Sequence, residues 1–247
     1  MKTAIVTGGN RGIGLAITNA FVTEGYKVIV GARHDTGIEE QSDSHSKFVA
    51  MDVKDEAGHR KLVQAAMDWT GQIDVYVNNA GYSEWRSIQN IDESFFNDLI
   101  GTNLKGAFWG CKVAADFLGT DGAIINVSSI AGKRGSVNNA MYCASKFGMN
   151  GLTQALAKEL GPKTIRVNAV CPVLVATDGL IEALNGPHSP AKDNTKRFLD
   201  DFAKTQSALG RLPTAEEVGA VCVFLASDKA SAITGQCINV DCGVFPQ

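Results

Sequence analysis

Short runs of β-branched and aliphatic residues alternate with longer stretches of helical periodicity along the whole of this 247-residue chain. Several of the short runs are apolar throughout, as expected for strands that are covered on both faces. Alternation of this kind predicts a parallel sheet with helices packed on it. We therefore expect an α/β fold built on a doubly wound parallel sheet.

The predicted elements follow directly from this pattern. The strands are expected at Thr3 to Thr7, Lys27 to Val30, Lys47 to Met51, Val75 to Val77, Ala123 to Val127, Ile165 to Val170 and Gln236 to Val240. The helices are expected at Ile13 to Glu24, Glu56 to Trp69, Asp92 to Leu118, Asn139 to Leu160 and Ala215 to Ala226.

No linker, repeat or low-complexity tract interrupts the series, so residues 1–247 are predicted to form a single domain. The one irregular insertion runs from about Asp178 to Gly210, where Gly186, Pro187 and Pro190 interrupt polar and helical sequence. A loop of this length in a compact domain is more often a lid or a binding element than an idle connection. We expect it to border the substrate.

Composition excludes several classes of partner. The chain has 23 Lys and Arg against 26 Asp and Glu, and this net charge of -3 argues against a dedicated binder of nucleic acid or of an anionic membrane. Six scattered cysteines without a CxxC pair and four histidines without ligand spacing predict no metal site, and we expect the histidines at the surface. The short apolar run at the N-terminus predicts neither a signal peptide nor a membrane span, so a cytoplasmic protein with small-molecule partners is expected.

A glycine-rich turn follows the first predicted strand and precedes a helix. It reads Thr7-Gly8-Gly9-Asn10-Arg11-Gly12-Ile13-Gly14. Glycines permit a tight turn, close approach of a pyrophosphate to bare backbone, and tight packing of the helix on the strand. The free N–H groups and positive end of the helix would then face the phosphates. The position between strand and helix favours a dinucleotide site of the Rossmann type over a plain turn.

The spacing of this turn resembles that of the short-chain dehydrogenase/reductase family, whose turn reads T-G-x-x-x-G-x-G. Further blocks occur in the same order as in that family, and the resemblance covers nearly the whole chain. They are Asp52-Val53, Asn78-Asn79-Ala80-Gly81, Asn103, Ser128-Ser129, Tyr142-Cys143-Ala144-Ser145-Lys146, Asn168, Pro172, and the closing Ile233-Thr234-Gly235-Gln236 with Val240-Asp241. The resemblance implies an enzyme that moves hydride between a nicotinamide cofactor and a carbonyl or an alcohol, and it implies a homotetramer or homodimer.

The end of the second strand bears on which nicotinamide cofactor is used. An NAD enzyme usually carries an acidic residue there, whereas this chain has Ala32 followed by Arg33. Arg33 and Arg11 could clamp a 2′-phosphate with charge-assisted hydrogen bonds, so NADP(H) is favoured over NAD(H). The alternative is that both are surface arginines without a ligand.

The resemblance also implies the rest of the cofactor site. It assigns Asp52 and Val53 to the adenine edge, and Asn79, Ala80 and Gly81 to the adenosine ribose. It assigns Pro172, Val175 and Thr177, together with Tyr142 and Lys146, to the nicotinamide. The chain departs from the family at Val173, where glycine is usual. A β-branched residue there requires an extended rather than a left-handed backbone.

Tyr142 and Lys146 are four residues apart on a predicted helix, so their side chains share one face. A nearby ammonium favours phenolate, so we expect it to lower the phenol's pKa towards the working range of a general acid/base. Such a pair alone is usually a surface feature. Ser129 strengthens the catalytic interpretation, because it follows a strand at the edge where parallel sheets bind ligands and could stabilise charge on a carbonyl oxygen. Asn103 resembles the family's fourth member, which would hold a water for proton relay.

Three functions remain open from the sequence. The leading one is an NADPH-dependent carbonyl reductase or alcohol dehydrogenase. Within it, a 3-oxoacyl-carrier-protein reductase stands beside an enzyme for a polar small substrate such as a sugar, a polyol or a hydroxy acid. Carrier proteins are acidic, and the acidic stretch Asp116 to Asp121 has the wrong sign for them. The alternative of another class is a non-catalytic cofactor-binding sensor or scaffold.

Overall fold

Seven short parallel strands form one sheet in the structure, a computed structural model that describes residues 2–38, 45–192 and 194–246. They are β1 (Thr3–Thr7), β2 (Lys27–Ala32), β3 (Ser46–Ala50), β4 (Val75–Asn78), β5 (Ala123–Val127), β6 (Arg166–Pro172) and β7 (Cys237–Val240). Their spatial order is β3-β2-β1-β4-β5-β6-β7. The predicted doubly wound parallel sheet is confirmed.

The α-helices of the described residues lie between these strands or, in one region, follow one another. They are α1 (Gly12–Thr23), α2 (Glu56–Thr70), α3 (Glu93–Ile100), α4 (Gly106–Phe117), α5 (Ala140–Leu160), α6 (Asp178–Leu184), α7 (Thr195–Gln206) and α8 (Ala215–Ala226). Within the described ranges, no helix is both long enough and apolar enough to cross a membrane.

Helices cover both faces of the sheet, which explains why its central strands are buried and mostly apolar. On one face, Ile17 and Phe21 of α1 and Leu225 of α8 pack against β1, β2 and β4. On the other, helices α2, α4 and α5 supply residues such as Leu62 and Val113 to a second core cluster. The strand order reverses between β1 and β4, and in open α/β sheets ligands bind beyond the carboxyl ends of the strands at such a point.

Two expectations about helices were wrong in detail. The helix predicted over Asp92 to Leu118 is interrupted, because Gly101–Lys105 form a wider π-helical turn between α3 and α4. The insertion at 178–210 is not mainly irregular, since it contains α6 and α7. Thr177 and Asn194 cap these two helices with side-chain oxygens, and such polar capping residues resemble loop sequence when the structure is unknown.

His59 is fully buried, so the expectation of four surface histidines was wrong. Its Nε2 lies 2.9 Å from the carbonyl oxygen of Val53, and its Nδ1 lies 2.7 Å from the hydroxyl of Tyr76. A carbonyl oxygen can only accept, so Nε2 carries the proton and Nδ1 accepts from Tyr76. Burial lowers the pKa of His59, which keeps the ring neutral in this position.

Candidate active site

The glycine turn and the segment after β4 are held together at the reversal point of the sheet. Val6 pairs with Val77 across β1 and β4, which places the ends of the two strands side by side. The hydroxyl of Thr7 accepts from the backbone N–H groups of Asn79 and Ala80 at 3.0 and 3.1 Å. In return, Nδ2 of Asn79 donates to the carbonyl oxygens of Thr7 and Gly8 at 2.9 and 3.1 Å.

The turn leaves an open cradle at the start of α1. Gly8 and Gly12 have φ angles of 63° and 54°, in the left-handed region that favours glycine. A Cβ on Gly14 would overlap the carbonyl oxygen of Gly8 and lie 2.5 Å from Nδ2 of Asn79. Helix α1 has no acidic residue in its first turn, and its N-cap residue Arg11 gives no side-chain cap hydrogen bond. Uncapped N–H groups beside bare backbone fit a pyrophosphate.

The neighbouring edge carries the residues predicted to read the adenosine end. Nδ2 of Asn10 donates to the carbonyl oxygen of His34 at 2.9 Å, which ties the glycine turn to the segment after β2. Arg33 and Arg11 are both exposed. Asp52 accepts from the backbone N–H of Lys54 at 2.9 Å. The side chains of Arg33 and Arg11 therefore remain accessible to a ligand at this edge.

Ser129, Tyr142 and Lys146 are brought together beyond the ends of β5 and β6. The hydroxyl of Ser129 lies close enough to the phenol of Tyr142 to lower its pKa. The same hydroxyl donates to the carbonyl oxygen of Pro172 at a long 3.4 Å and accepts from the N–H of Ala131 at 3.1 Å. Nζ of Lys146 donates to the carbonyl oxygen of Val127 at 2.8 Å and lies 5.7 Å from the centre of the Tyr142 ring.

Burial dominates the electrostatics of this group. It raises the pKa of Tyr142 to about 12, and the neighbouring side chain of Ser129 opposes this only in part. Burial also lowers the pKa of Lys146 to about 8, since an ammonium is costly away from water. The expectation that Lys146 lowers the phenol's pKa is therefore not met in this structure. The phenol is protonated near neutrality.

Asn103 lies in the π-helical turn, fully buried. Its Oδ1 accepts from the N–H of Tyr82 at 3.0 Å, and its Nδ2 donates to the carbonyl oxygen of Tyr82 at 2.8 Å and to Oγ of Ser145 at 3.3 Å. The side chain thus joins the segment after β4, which includes Gly81, to the helix of Tyr142. A water relay through Asn103 stays a prediction, because both of its amide hydrogens are used within the protein.

The segment after β6 contacts the glycine turn. Thr177 caps α6, and a Cβ on Gly12 would lie 3.4 Å from its side chain. Val175 is buried in the core on the side of α1. Val173, which replaces the family's glycine, does not have a positive φ, as expected for a β-branched residue, whereas Leu174 does at 21°.

A polar wall next to Tyr142 was not identified from the sequence. The N–H of Arg86 donates to the carbonyl oxygen of Asn138 at 2.7 Å, so the segment after β4 contacts the segment before α5. Nδ2 of Asn138 donates to the carbonyl oxygen of His188 at 3.1 Å, which adds the α6–α7 region. Asn139 belongs to the same wall and is buried. The only sequence signal was polar residues within four positions of Tyr142.

Comparison with known proteins agrees with this geometry. A family model described as enoyl-(acyl carrier protein) reductase matches residues 8–245. The chain is 37% identical to the 3-oxoacyl-[acyl-carrier-protein] reductase FabG of Chlamydia trachomatis, over 98% of this chain and 97% of that protein. It is 35% identical to the L-2,3-butanediol dehydrogenase of Corynebacterium glutamicum, over 99% of this chain and 98% of that one.

A solved structure from Brucella melitensis, described as a short-chain dehydrogenase/reductase and glucose/ribitol dehydrogenase, superimposes with a TM-score of 0.90. It is 31% identical in sequence, and the match covers 100% of this chain and 97% of that one. The family model, the relatives and the fold agree over nearly the full length. This protein therefore belongs to the short-chain dehydrogenase/reductase family of enzymes.

Proposed function

We propose that this enzyme transfers hydride between NADP(H) and a carbonyl or secondary alcohol, with Tyr142 as the general acid/base. The observation that carries the proposal is the convergence of Ser129, Tyr142 and Lys146 at the same carboxyl edge of the sheet as the glycine turn. In open α/β sheets ligands bind beyond the carboxyl ends of the strands, so side chains at this edge can contact both a bound cofactor and a substrate.

The residues present fit a dinucleotide. The uncapped start of α1 would hold the pyrophosphate, and exposed Arg11 and Arg33 would pair with a 2′-phosphate. The remaining contacts would come from residues at the ends of the strands and the turns after them: Gly8, Asn10, Gly12, Ile13, Gly14, Asp52, Val53, Asn79, Ala80, Gly81, Pro172, Val175 and Thr177. When bound, the nicotinamide supplies or accepts the hydride.

The chain's own residues manage the proton. In reduction, Tyr142 gives its phenolic proton to the carbonyl oxygen, which suits a group that burial keeps protonated. The weak bond from Ser129 to Pro172 can be exchanged for a bond to the same carbonyl oxygen. Lys146, with a pKa of about 8, can restore the proton near neutrality. Asn103 fixes the segment that faces them.

The relatives support two substrate classes. A 3-oxoacyl-[acyl-carrier-protein] is the substrate named for FabG, and small hydroxylated compounds are named for the butanediol and the glucose/ribitol dehydrogenases. We favour the second, because the wall beside Tyr142 is polar. Helices α6 and α7 would cover the substrate, since Leu184 and Ala191 from this region pack on buried Trp85. We therefore keep the proposal that the segment 178–210 borders the substrate, within a single domain that spans residues 1–247.

The subunits are proposed to associate through the exposed faces of α4 and α5. Phe108 on α4 is 42% exposed and Phe147 on α5 is 48% exposed, and a contiguous exposed apolar patch often marks a protein interface. Phe108 lines a shallow apolar groove with Leu104 and Leu152. Pairing with a second copy would bury this groove, and Phe108→Glu should shift the mass measured by light scattering to that of a smaller species.

The test is turnover of a panel of ketones with NADPH and NADH by wild type, Tyr142→Phe and Tyr26→Phe. Tyr26 is a matched control because it is a buried tyrosine in the core at the opposite edge of the sheet. We expect Tyr142→Phe to lose at least about a thousandfold in kcat/KM, in line with loss of a general acid, and Tyr26→Phe to retain activity. Retained turnover in Tyr142→Phe contradicts the proposal. Binding of NADPH without any turnover would favour the sensor or scaffold alternative.

A further inference from the structure

We propose that the substrate carries a hydroxyl group on the carbon next to the reacting carbonyl, and that Asn139 and Ser83 bind it. This inference rests on the proposed function and narrows its substrate to α-hydroxycarbonyl compounds and the corresponding vicinal diols. It depends on two buried polar atoms in the wall beside Tyr142.

Asn139 is at the N-cap position of α5, three residues before Tyr142. Asparagine is among the preferred N-cap residues because its side-chain oxygen accepts from the first N–H groups of a helix. Here Asn139 makes no such bond, and its Nδ2 donates instead to Oγ of Ser136 at 3.2 Å. Its Oδ1 is buried without a hydrogen-bond partner among the described residues, and only 5% of the residue is exposed.

Ser83 presents a second such atom. Its Oγ is also buried without a partner within the described part of the chain. Ser83 follows Tyr82, whose backbone is fixed on both sides by Asn103. The bond from Arg86 to Asn138 joins this segment to the one that contains Asn139. Two of the four unpartnered buried side-chain atoms found in the described residues thus lie in adjoining segments of one wall.

Leaving buried acceptors unpaired is unfavourable, so their retention indicates a partner that the folded chain does not supply. The backbone of Asn138 adds to this, because its φ of 57° is uncommon for a residue other than glycine. Arg86 and His188 hold Asn138 in this conformation by the two hydrogen bonds described above. Backbone of this kind persists where its surroundings determine it, often at ligand sites.

The two atoms define the chemistry of the partner. A carbonyl oxygen such as Oδ1 of Asn139 can only accept, so the ligand must donate. The Ser83 hydroxyl can donate or accept. A ligand hydroxyl can donate to Oδ1 of Asn139 and can also pair with the Ser83 hydroxyl, whereas neither a ketone oxygen nor a methyl group can donate to Oδ1. Residues three apart at a helix start are neighbours, roughly 5–6 Å between Cβ atoms, so the hydroxyl belongs near the carbonyl that Tyr142 protonates.

The experiment compares substrates that differ by one hydroxyl: acetoin against butan-2-one, and hydroxyacetone against acetone. The measured quantity is the ratio of kcat/KM with NADPH within each pair. We expect wild type to prefer the hydroxylated member by about 10- to 100-fold, since a buried polar site discriminates strongly against an analogue that lacks its partner. Asn139→Ala should bring the ratio close to one, and Ser83→Ala should reduce it several-fold. Asn139→Asp, which keeps an acceptor, should retain more of the preference than Asn139→Ala.

Asn19→Ala is the matched control, because Asn19 is exposed on α1 and its substitution should leave the ratio as in wild type. Circular dichroism of each variant checks folding, and Ser83→Ala still tests the site if Asn139→Ala does not fold. Equal turnover of both members of a pair by wild type overturns this inference and leaves the proposed function intact. A preference that survives in both alanine variants also overturns it. No turnover of any ketone would instead reject the proposed function, and this inference with it.

Discussion

Replacement of Gly14 by alanine tests the geometry of the glycine turn. The new Cβ would overlap the carbonyl oxygen of Gly8 and lie 2.5 Å from Nδ2 of Asn79, against the 3.5–4.0 Å of a normal contact. Relief of the overlap must break the two hydrogen bonds that Asn79 donates, at about 1 kcal/mol each. Overpacking costs about 1–3 kcal/mol more, and alanine returns only about 1 kcal/mol as a better helix former. The net expected loss is about 2–4 kcal/mol.

The assay is guanidinium unfolding of Gly14→Ala, with Gly151→Ala as its control. Gly151 lies in α5, has no neighbour within 4 Å of a built Cβ in the described chain, and does not have a positive φ. Alanine there should stabilise the protein by about 0.5–1 kcal/mol. Gly14→Ala should also weaken NADPH binding, because the Gly8 backbone must move. Wild-type stability and NADPH affinity in Gly14→Ala would refute the reasoning.

Four further predictions concern hydrogen bonds and ionisable groups. Arg33→Ala should raise the KM for NADPH about tenfold, because it removes one exposed charge-assisted hydrogen bond of about 1.5 kcal/mol. The KM of this variant for NADH should stay as in wild type. The control variant Arg60→Ala should keep the wild-type KM for NADPH. Tyr76→Phe should lower the free energy of unfolding by about 1–3 kcal/mol, because Nδ1 of His59 loses its donor. The pKa of His59 is lower in the folded chain than in the unfolded chain, so the unfolded chain is protonated at His59 at a higher pH. The contribution of neutral His59 to the free energy of unfolding of wild type should therefore be fully present above about pH 6.5 and decrease as the pH falls below that value. Because the pKa of Lys146 is about 8, kcat/KM for ketone reduction should be flat below that pH and fall above it, and a pH–rate profile without such a fall contradicts the proton relay.

Sequence periodicity was sufficient for the sheet because its central strands are covered on both faces and are therefore mostly apolar. The bounds of β1 and β5 were predicted to the residue. The π-helical turn around Asn103 was missed, since its sequence keeps helical periodicity and only the side-chain bonds to Tyr82 reveal what the wider turn accommodates. His59 was misplaced for a similar reason. A polar residue on an amphipathic helix is normally exposed, and only the fold brings Tyr76 and the Val53 carbonyl to its two nitrogens.

The predicted site residues were selected by spacing and resemblance. In the structure Ser129 lies near enough to lower the pKa of Tyr142, and Nζ of Lys146 lies 5.7 Å from the centre of the Tyr142 ring. The wall formed by Ser83, Asn138 and Asn139 could not be predicted in the same way. Serine and asparagine before a helix are ordinary capping residues in a sequence. Only the folded chain reveals that the side chain of Asn139 does not cap its helix and leaves an acceptor buried.

The sign of the pKa shift at Tyr142 depends on a competition that spacing alone cannot decide. An ammonium four residues away favours phenolate. However, Lys146 and Tyr142 are both buried, and this loss of solvation penalises the charged form of each side chain. Burial prevails here, so the phenol has a pKa of about 12 and the amine a pKa of about 8. A neutral acid beside a partly protonated amine is suited to giving a proton to a carbonyl oxygen. Positive charge on an oxidised nicotinamide would act in the opposite direction and favour phenolate, which is the form that alcohol oxidation requires.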